Sequence, residues 1–313
     1  MATEETELAS PQPGEADDVR SRAMRVGVLG NVHYGELKDV VEMLRRAADR
    51  IGVTLVYEAR LAKCLHGAGP VLEQELGRVD WLLTLGGDGT LLRGAHMAGP
   101  RAIPVLGCNL GRLGFLTMIS RDELELALER VARGEVSEEE RIALQVRVRR
   151  GDSGKPDGEV YYSVNDAVIH KSGFARMITL RVWVDEEEVG QYSADGIILS
   201  TPTGSTAYSL SAGGPILAPG LDGLVATPIS PHTLAVRSVV LPAAAQISVE
   251  LGSEAEEISL TIDGQPGSVL YSGDRVEAAR SQYPLRLLCF PGHSFFSVLR
   301  RKLRWGDVRP TDV

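Results

Sequence analysis

Asp88 stands among three glycines in Leu85-Gly86-Gly87-Asp88-Gly89-Thr90, and that spacing suits phosphate chemistry. The glycines free the backbone to turn tightly and to approach a ligand closely. Trp81-Leu82-Leu83-Thr84-Leu85, just before them, is too short for a helix and reads as a buried strand. Leu91, Leu92 and Ala95, with His96 beside them, predict a helix beginning just after Thr90. Strand, glycine turn and helix start together make an anion site, because unpaired helix amides and the helix dipole both favour phosphate. A carboxylate in the middle would repel bare phosphate. Asp88 therefore suits a metal ion or a substrate hydroxyl; in an isolated dipeptide it would be only an acidic turn residue.

A second region is dense in hydroxyls. The strand-like Gly196-Ile197-Ile198-Leu199 runs into Ser200-Thr201-Pro202-Thr203-Gly204-Ser205-Thr206-Ala207-Tyr208-Ser209-Leu210-Ser211. Hydroxyls and free amides in a turn form neutral hydrogen-bonding arrays that suit a ribose, a base edge or phosphates. A Ser/Thr-rich surface loop is the plainer alternative, but such loops seldom lie between apolar segments. Asn165-Asp166 interrupts a third strand-like run, either as a bulge or as a pair reading an amide and a hydroxyl on one ligand.

The elements that must position these groups fall into two kinds. Met24 to Gly30, Val53 to Tyr57, Trp81 to Leu85 and Ile103 to Gly107 read as short strands, with helical spacing at Leu37, Val40, Val41, Leu44 and Ala47. Alternating strands and helices predict a doubly wound parallel α/β domain, with ligands at the carboxyl ends of its strands. Ser120-Arg121-Asp122-Glu123 has the form of a capping box opening another helix. Beyond about residue 136 the period changes. Ile142, Leu144, Val146 and Val148 alternate, as do Ile178, Leu180, Val182 and Val184, and Ile258, Leu260 and Ile262. This predicts an all-β domain of antiparallel sheet. After Pro291-Gly292 a helical stripe of Phe296, Leu299 and Leu303 returns, with Arg300, Arg301, Lys302 and Arg304 elsewhere on the helix as a solvated face or a phosphate or membrane contact. The expected divisions are 1–23 as an acidic disordered tail, 24–135 as the α/β domain, 136–291 as the β-rich domain and 292–313 as a terminal helix and tail.

Composition narrows the partners. The net charge is −9 and aromatics make up 5%, which argue against sequence-independent nucleic-acid binding, base stacking and a membrane surface. No segment resembles a signal peptide or a membrane span. Cys64, Cys108 and Cys289 are odd in number and widely spaced, so neither a disulfide framework nor a metal motif is expected, and a reducing cytoplasm is the simplest compartment.

Taken in order, GGDGT at 86–90, NLGRLGFL at 109–116, VND at 164–166, DGIILSTPTGSTAYSLSAGGPI at 195–216, TPISPHTLAVR at 227–237 and DGQ at 263–265 resemble the NAD kinase family. The likeness runs from about Met24 to Gly306. GGDGT by itself is shared with lipid kinases and, in a close variant, with phosphofructokinases; the long hydroxyl-rich segment is far more specific. The resemblance implies a β-sandwich-like second domain, with NAD bound between the domains and the C-terminal segment returning to the first. It implies ATP or polyphosphate as donor, a divalent metal such as Mg²⁺, and homodimers or homotetramers. It places Asp88 as the base that takes the proton of the adenosine 2′-hydroxyl. It implies ligand contacts at Asp88, Gly89 and Arg93, at Asn165 and Asp166, at Arg176 and Asp195, along Thr206, Ala207, Tyr208, Ser209, Leu210 and Ser211, and at Gln265. The family usually carries Glu where this chain has Asp166; the shorter side chain keeps the charge and changes its reach. The competing readings are a lipid or sugar kinase, against which Asn165-Asp166 and the hydroxyl-rich segment speak, and a nucleotide-binding sensor on a kinase scaffold, against which an intact Asp88 speaks.

Overall fold

Residues 23–65, 67, 71–151, 158, 160–171, 177–233, 235–252, 258–292 and 294–304 are described by a computed structural model of the chain. The expected acidic tail therefore falls almost wholly outside the described residues, as does the chain past 304.

The first part alternates β1 (Arg25–Gly30), α1 (Leu37–Ile51), β2 (Thr54–Tyr57), α2 (Ala59–Cys64), α3 (Leu72–Glu75), β3 (Trp81–Gly86), α4 (Asp88–Ala98), β4 (Val105–Asn109), β5 (Ile119–Ser120), α5 (Leu124–Ala132) and β6 (Ser137–Arg141). The second is built from β7 (Leu144–Arg149), β8 (Val160–Ser163), β9 (Asp166–Lys171), β10 (Ile178–Val184), β11 (Glu187–Ala194), β12 (Gly196–Ser200), the one-turn α6 (Tyr208–Ser211), β13 (Gly223–Ile229), β14 (Val239–Pro242), β15 (Ile247–Leu251), β16 (Ile258–Ile262), β17 (Gln265–Leu270) and β18 (Arg275–Arg280). The chain closes with β19 (Leu285–Cys289) and α7 (Phe295–Leu303).

The first sheet has the order β2-β1-β3-β4-β19-β6, with β5 beside β4. All its pairings are parallel except β19 with β6. Strand β3 is buried along its whole length, as a central parallel strand covered on both faces must be. Helix α1 lays Leu37, Val40, Val41, Leu44, Ala47 and Ala48 on the sheet and stops at Gly52, whose φ of 73° is a left-handed cap that glycine adopts without strain. Two antiparallel six-stranded sheets follow, β11-β10-β15-β18-β7-β8 and β14-β13-β12-β9-β16-β17. Val146 and Val148 of one and Ala167 and Ile169 of the other share a single apolar core, which makes the pair a sandwich.

The expected α/β plus antiparallel β architecture is the one observed, but the first sheet reaches further along the chain than 24–135. It takes in β6 and then β19, which re-enters at Leu285, ahead of residue 292. Ser-Glu-Glu-Glu-Arg in β6 has no apolar alternation, and its pairing with Leu285–Cys289 spans well over a hundred residues, so periodicity carries no sign of either. Helix α7 also differs from expectation. Of the expected stripe Leu299 is buried, but Phe296 and Leu303 are 59% and 42% exposed; Val298 is buried beside Leu299, and the Phe295 ring lies 6.2 Å from that of Phe115. Phe295, Val298 and Leu299 form the i, i+3, i+4 set that faces the first domain.

Candidate active site

Asp88 is the first residue of α4, capped by Gly87, so the helix starts ahead of the expected point after Thr90. An acidic side chain in the first turn is favoured by the unpaired amides and dipole there. The carboxylate does not point idly into solvent. Its Oδ2 accepts the Phe115 amide at 2.8 Å and its Oδ1 the Leu116 amide at 3.0 Å. Both donors come from the 109–116 loop, and Gly114 is what lets that loop close over Asp88: a Cβ there would sit 2.0 Å from Oδ1. Lys302 on α7 places Nζ 4.0 Å from Oδ2 and 4.6 Å from the centre of the Phe115 ring. The sequence leaves its basic cluster open as a solvated face or a phosphate or membrane contact, and no spacing within the cluster singles out this cation.

Arg93, one turn on, faces the other way. Its guanidinium donates to the Gly30 carbonyl at 3.1 Å and to Glu58 at 3.0 Å. Burial pushes the Glu58 carboxyl up, and the Arg93 charge opposes that rise. Strands β1 and β3 are neighbours whose helical connections diverge, so their carboxyl ends, tied by the Asn31 amide on the Leu85 carbonyl at 2.8 Å, mark the switch point where open α/β sheets bind ligands.

The remaining predicted groups converge by strand register. In the third sheet Asp166 at the start of β9 lies opposite Ser200 at the end of β12, and Ala167 lies opposite Ile262 at the end of β16. The 164–166 turn, the 200–211 segment and the 263–265 turn thus leave the sheet at one end. Thr201 fastens two of them, its amide donating to the Asn165 carbonyl at 2.9 Å and its hydroxyl to the Val164 carbonyl at 2.5 Å. The Tyr208 amide donates to the Asp166 carboxylate.

Several hydroxyls of the rich segment are spent inside the protein. Ser205 Oγ donates to the Pro202 carbonyl at 2.6 Å and accepts the Leu217 amide at 2.9 Å. Ser209 Oγ is buried 2.9 Å from Thr227 Oγ1, and Thr206 Oγ1 donates to the Thr203 carbonyl at 3.2 Å. Of the predicted contacts in this stretch, Ser209 is buried, Thr206, Ala207 and Leu210 are partly covered, and Tyr208 and Ser211 are exposed. Gln265 opens β17 with an exposed side chain. Gly89 lies exposed in the first turn of α4.

Of the two remaining predicted residues, only Asp195 is described, and it is not brought to this cluster. Arg176 lies outside the described residues. Asp195 precedes β12, at the opposite end of the β9–β12 ladder from Ser200, about 16 Å away at the usual rise of a strand. It forms an ion pair with Lys171 at 2.6 Å.

One central residue was missed. Asp263 and Gly264 form the two-residue turn between β16 and β17, with φ of 48° and 73°, the positive values that such a hairpin turn demands and that Asp-Gly supplies. The Asp263 side chain has no solvent exposure. It accepts the Ser163 hydroxyl at 2.7 Å and the amides of Val164, Asn165 and Asp166 at 2.8, 2.7 and 3.0 Å, and it meets His96 Nε2 at 2.6 Å. Burial alone would raise its pKa, but these bonds, that from His96 foremost, hold it below the ordinary carboxylate value.

Asp166, beside it, goes the other way. Burial, and then the Asp263 charge, push its pKa up to about 7 against the Tyr208 amide's pull. In the unfolded chain the group releases its proton near pH 4. Between those values the folded state holds a proton that the unfolded state has lost, so this residue's contribution to stability declines as pH rises from about 4 to about 7. Asp166→Asn has no such term, and its Oδ1 still accepts the Tyr208 amide. The variant should therefore gain on the wild type as pH rises, by an amount on the order of a few kcal/mol between pH 5 and pH 8. Thermal unfolding of both proteins at the two pH values checks this; an equal gap at both would refute it.

Among the described residues no three His, Cys, Asp or Glu side chains gather as a metal cage, and no helix is long and apolar enough to cross a membrane. The three cysteines are unpaired.

Residues 36–136 match the family model described as ATP-NAD kinase N-terminal domain, and residues 164–289 match that of the ATP-NAD kinase C-terminal domain. The chain is 45% identical over 289 residues to an NAD kinase of Gemmatimonas aurantiaca, covering 92% of this chain and 99% of the relative, and 41% identical to one of Heliobacterium modesticaldum, covering 89% and 99%. Among solved structures it is similar to yeast NADH kinase complexed with NADH, with a TM-score of 0.83, 26% identity and coverage of 91% of this chain and 89% of that one. It is also similar to an NAD kinase from Archaeoglobus fulgidus in complex with ATP, with a TM-score of 0.70, 28% identity and coverage of 90% and 99%.

Proposed function

The chain belongs to the NAD kinase family, and we propose that it transfers the terminal phosphoryl group of ATP, or of polyphosphate, to the 2′-hydroxyl of the adenosine ribose of NAD. The observation that carries the assignment of roles is the placement of Asp88. It is a carboxylate at a helix start, held by two amides of a glycine-spaced loop, in a position where backbone donors for phosphate are also presented.

A ribose hydroxyl is a poor nucleophile at neutral pH. Asp88 accepts its proton as the ribose oxygen bonds to phosphorus and the bond from phosphorus to the leaving ADP oxygen breaks. The amides at the start of α4 receive phosphate oxygens, and Lys302 adds positive charge beside them. Each Asp88 oxygen accepts a single amide and keeps acceptor capacity, so Asp88 is the residue that would help to hold a divalent ion such as Mg²⁺ beside the donor's phosphates. Such an ion neutralises phosphate charge. Arg93 supports the phosphate loop through Gly30 and Glu58. Asn165, Asp166, Gln265 and the Thr206–Ser211 stretch hold the adenosine side of NAD. Buried polar groups that only this acceptor satisfies exclude ATP from that half.

The family resemblance supports a homodimer or homotetramer, and Asp195, at the far end of the β9–β12 ladder from Ser200, is a candidate contact to the NAD of another copy. Unpaired cysteines support a reducing, cytoplasmic setting. The deciding experiment is NADP formation from NAD and Mg²⁺ with either ATP or polyphosphate. NADP is expected with ATP. ADP release with diacylglycerol or fructose 6-phosphate, and none with NAD, would overturn the proposal.

A further inference from the structure

We propose that His96 and Asp263 are a positioning pair that sets the spacing between the phosphoryl-transfer end of α4 and the turns that hold the acceptor nucleotide; this rests on the kinase reading above. Helix α4 begins at Asp88 and carries His96 eight residues later, about 12 Å along its axis. At its first turn the helix is held by the 109–116 loop through Asp88. Near its last turn the polar tie is His96 Nε2 on Asp263 Oδ2 at 2.6 Å.

Asp263 is suited to pass that position on. The same buried carboxylate gathers the Ser163 hydroxyl and three successive amides, Val164, Asn165 and Asp166, while its own amide donates to the Asp166 carbonyl at 2.9 Å. The turn that presents Asn165 and Asp166 is thus wrapped around one side chain, and that side chain is bonded to the helix that carries the base. The Tyr162 ring fixes the imidazole from the side, edge-on at 6.3 Å, and packs so closely beneath Gly99 that a Cβ there would lie 2.4 Å from its Cζ. Neither His96 nor Asp263 is a candidate for touching the reacting atoms; both act through Asp88 and the 164–166 turn. The two halves would stay packed without the bond, because Val164 is buried in one cluster with Leu91, Ala95 and Ala98 of α4.

Steady-state NADP formation with the full-length chain tests the pair. His96→Ala, and His96→Asn, whose amide is too short to reach Asp263, should each raise KM for NAD and lower kcat by about 5- to 10-fold while KM for ATP stays within two-fold. His96→Gln places an amide donor near the position of Nε2 and should return both constants to within about three-fold of wild type. A residue with only a structural role would lower the melting temperature and leave these constants unchanged below it. Wild-type constants in His96→Asn overturn the inference, and so does a His96→Gln variant as impaired as His96→Asn. If His96→Ala does not fold, the Asn and Gln variants decide alone. A wild-type chain that forms no NADP overturns the kinase reading itself, which separates that failure from this one.

Discussion

Asp88→Asn should lower kcat for NADP formation by about 10²- to 10⁴-fold, the usual range for a positioned general base, while the dissociation constant for NAD changes by less than about three-fold. The first part follows from removing the acceptor of the ribose proton. The second follows from the architecture: the described groups assigned to NAD leave the third sheet at the ends of β12 and β16 and the start of β9, whereas the Asp88 carboxylate is bonded to the Phe115 and Leu116 amides. The substitution also has a local effect that geometry makes specific. The carboxylate accepts the Phe115 amide on one oxygen and the Leu116 amide on the other. Asn offers one oxygen and one NH₂, so one of those amides faces a donor and loses its partner. The 109–116 loop therefore loosens over the helix start. Initial rates, with a calorimetric titration of NAD, check both halves of the expectation. Turnover near the wild-type rate would remove Asp88 from the role of base.

What was legible in the sequence was mostly local. Glycines between a buried apolar run and a helical stripe located the strand, turn and helix around Asp88, and alternation at Leu144, Val146 and Val148 announced antiparallel sheet. What was not legible depended on partners remote in the chain. Nothing in Leu285–Cys289 says that it completes a parallel sheet begun at Arg25, and the acidic β6 has no period to read. Asp263 is the sharpest case. Asp-Gly between two alternating segments signals a hairpin turn, in which an acidic side chain usually faces water. Its burial at the centre of five hydrogen bonds arises from the approach of the 163–166 segment and of α4, which no spacing within the turn encodes. Lys302 was hidden for a related reason. A basic cluster on a helix has one meaning when the buried stripe is Phe296, Leu299 and Leu303 and another when the helix is turned to bury Val298 beside Leu299, because rotation decides which cation turns inward. The hydroxyl-rich segment shows the converse: composition marks its hydroxyls alike, while the fold uses those of Thr201, Ser205 and Ser209 to build the turn.

That construction makes Gly204→Ala the second large effect expected. A Cβ at residue 204 would lie 2.0 Å from the Asn165 carbonyl oxygen, 2.4 Å from its carbon and 2.6 Å from Asn165 Cα. All three obstacles are backbone, so no side chain can swing aside, and ordinary contact requires the two segments to part by more than about 1 Å. The same two segments are joined by the Thr201 amide on the Asn165 carbonyl and the Thr201 hydroxyl on the Val164 carbonyl, with the Gly204 amide donating back to that hydroxyl at 3.1 Å. Prying them apart strains those bonds together and moves the Tyr208 amide away from Asp166. Displacement by about 1 Å is enough to cost on the order of 10²-fold where groups must converge on one ligand. Gly204→Ala should therefore weaken NAD affinity by about 100-fold with little change in KM for ATP, since the atoms nearest the added Cβ all belong to Asn165 and none to the 86–90 turn. Gly220→Ala is the matched control, because nothing lies within 4 Å of a Cβ at that position; it should bind NAD as the wild type does. Equal affinity in the two variants would mean that the contact between Gly204 and Asn165 does not shape the nucleotide site.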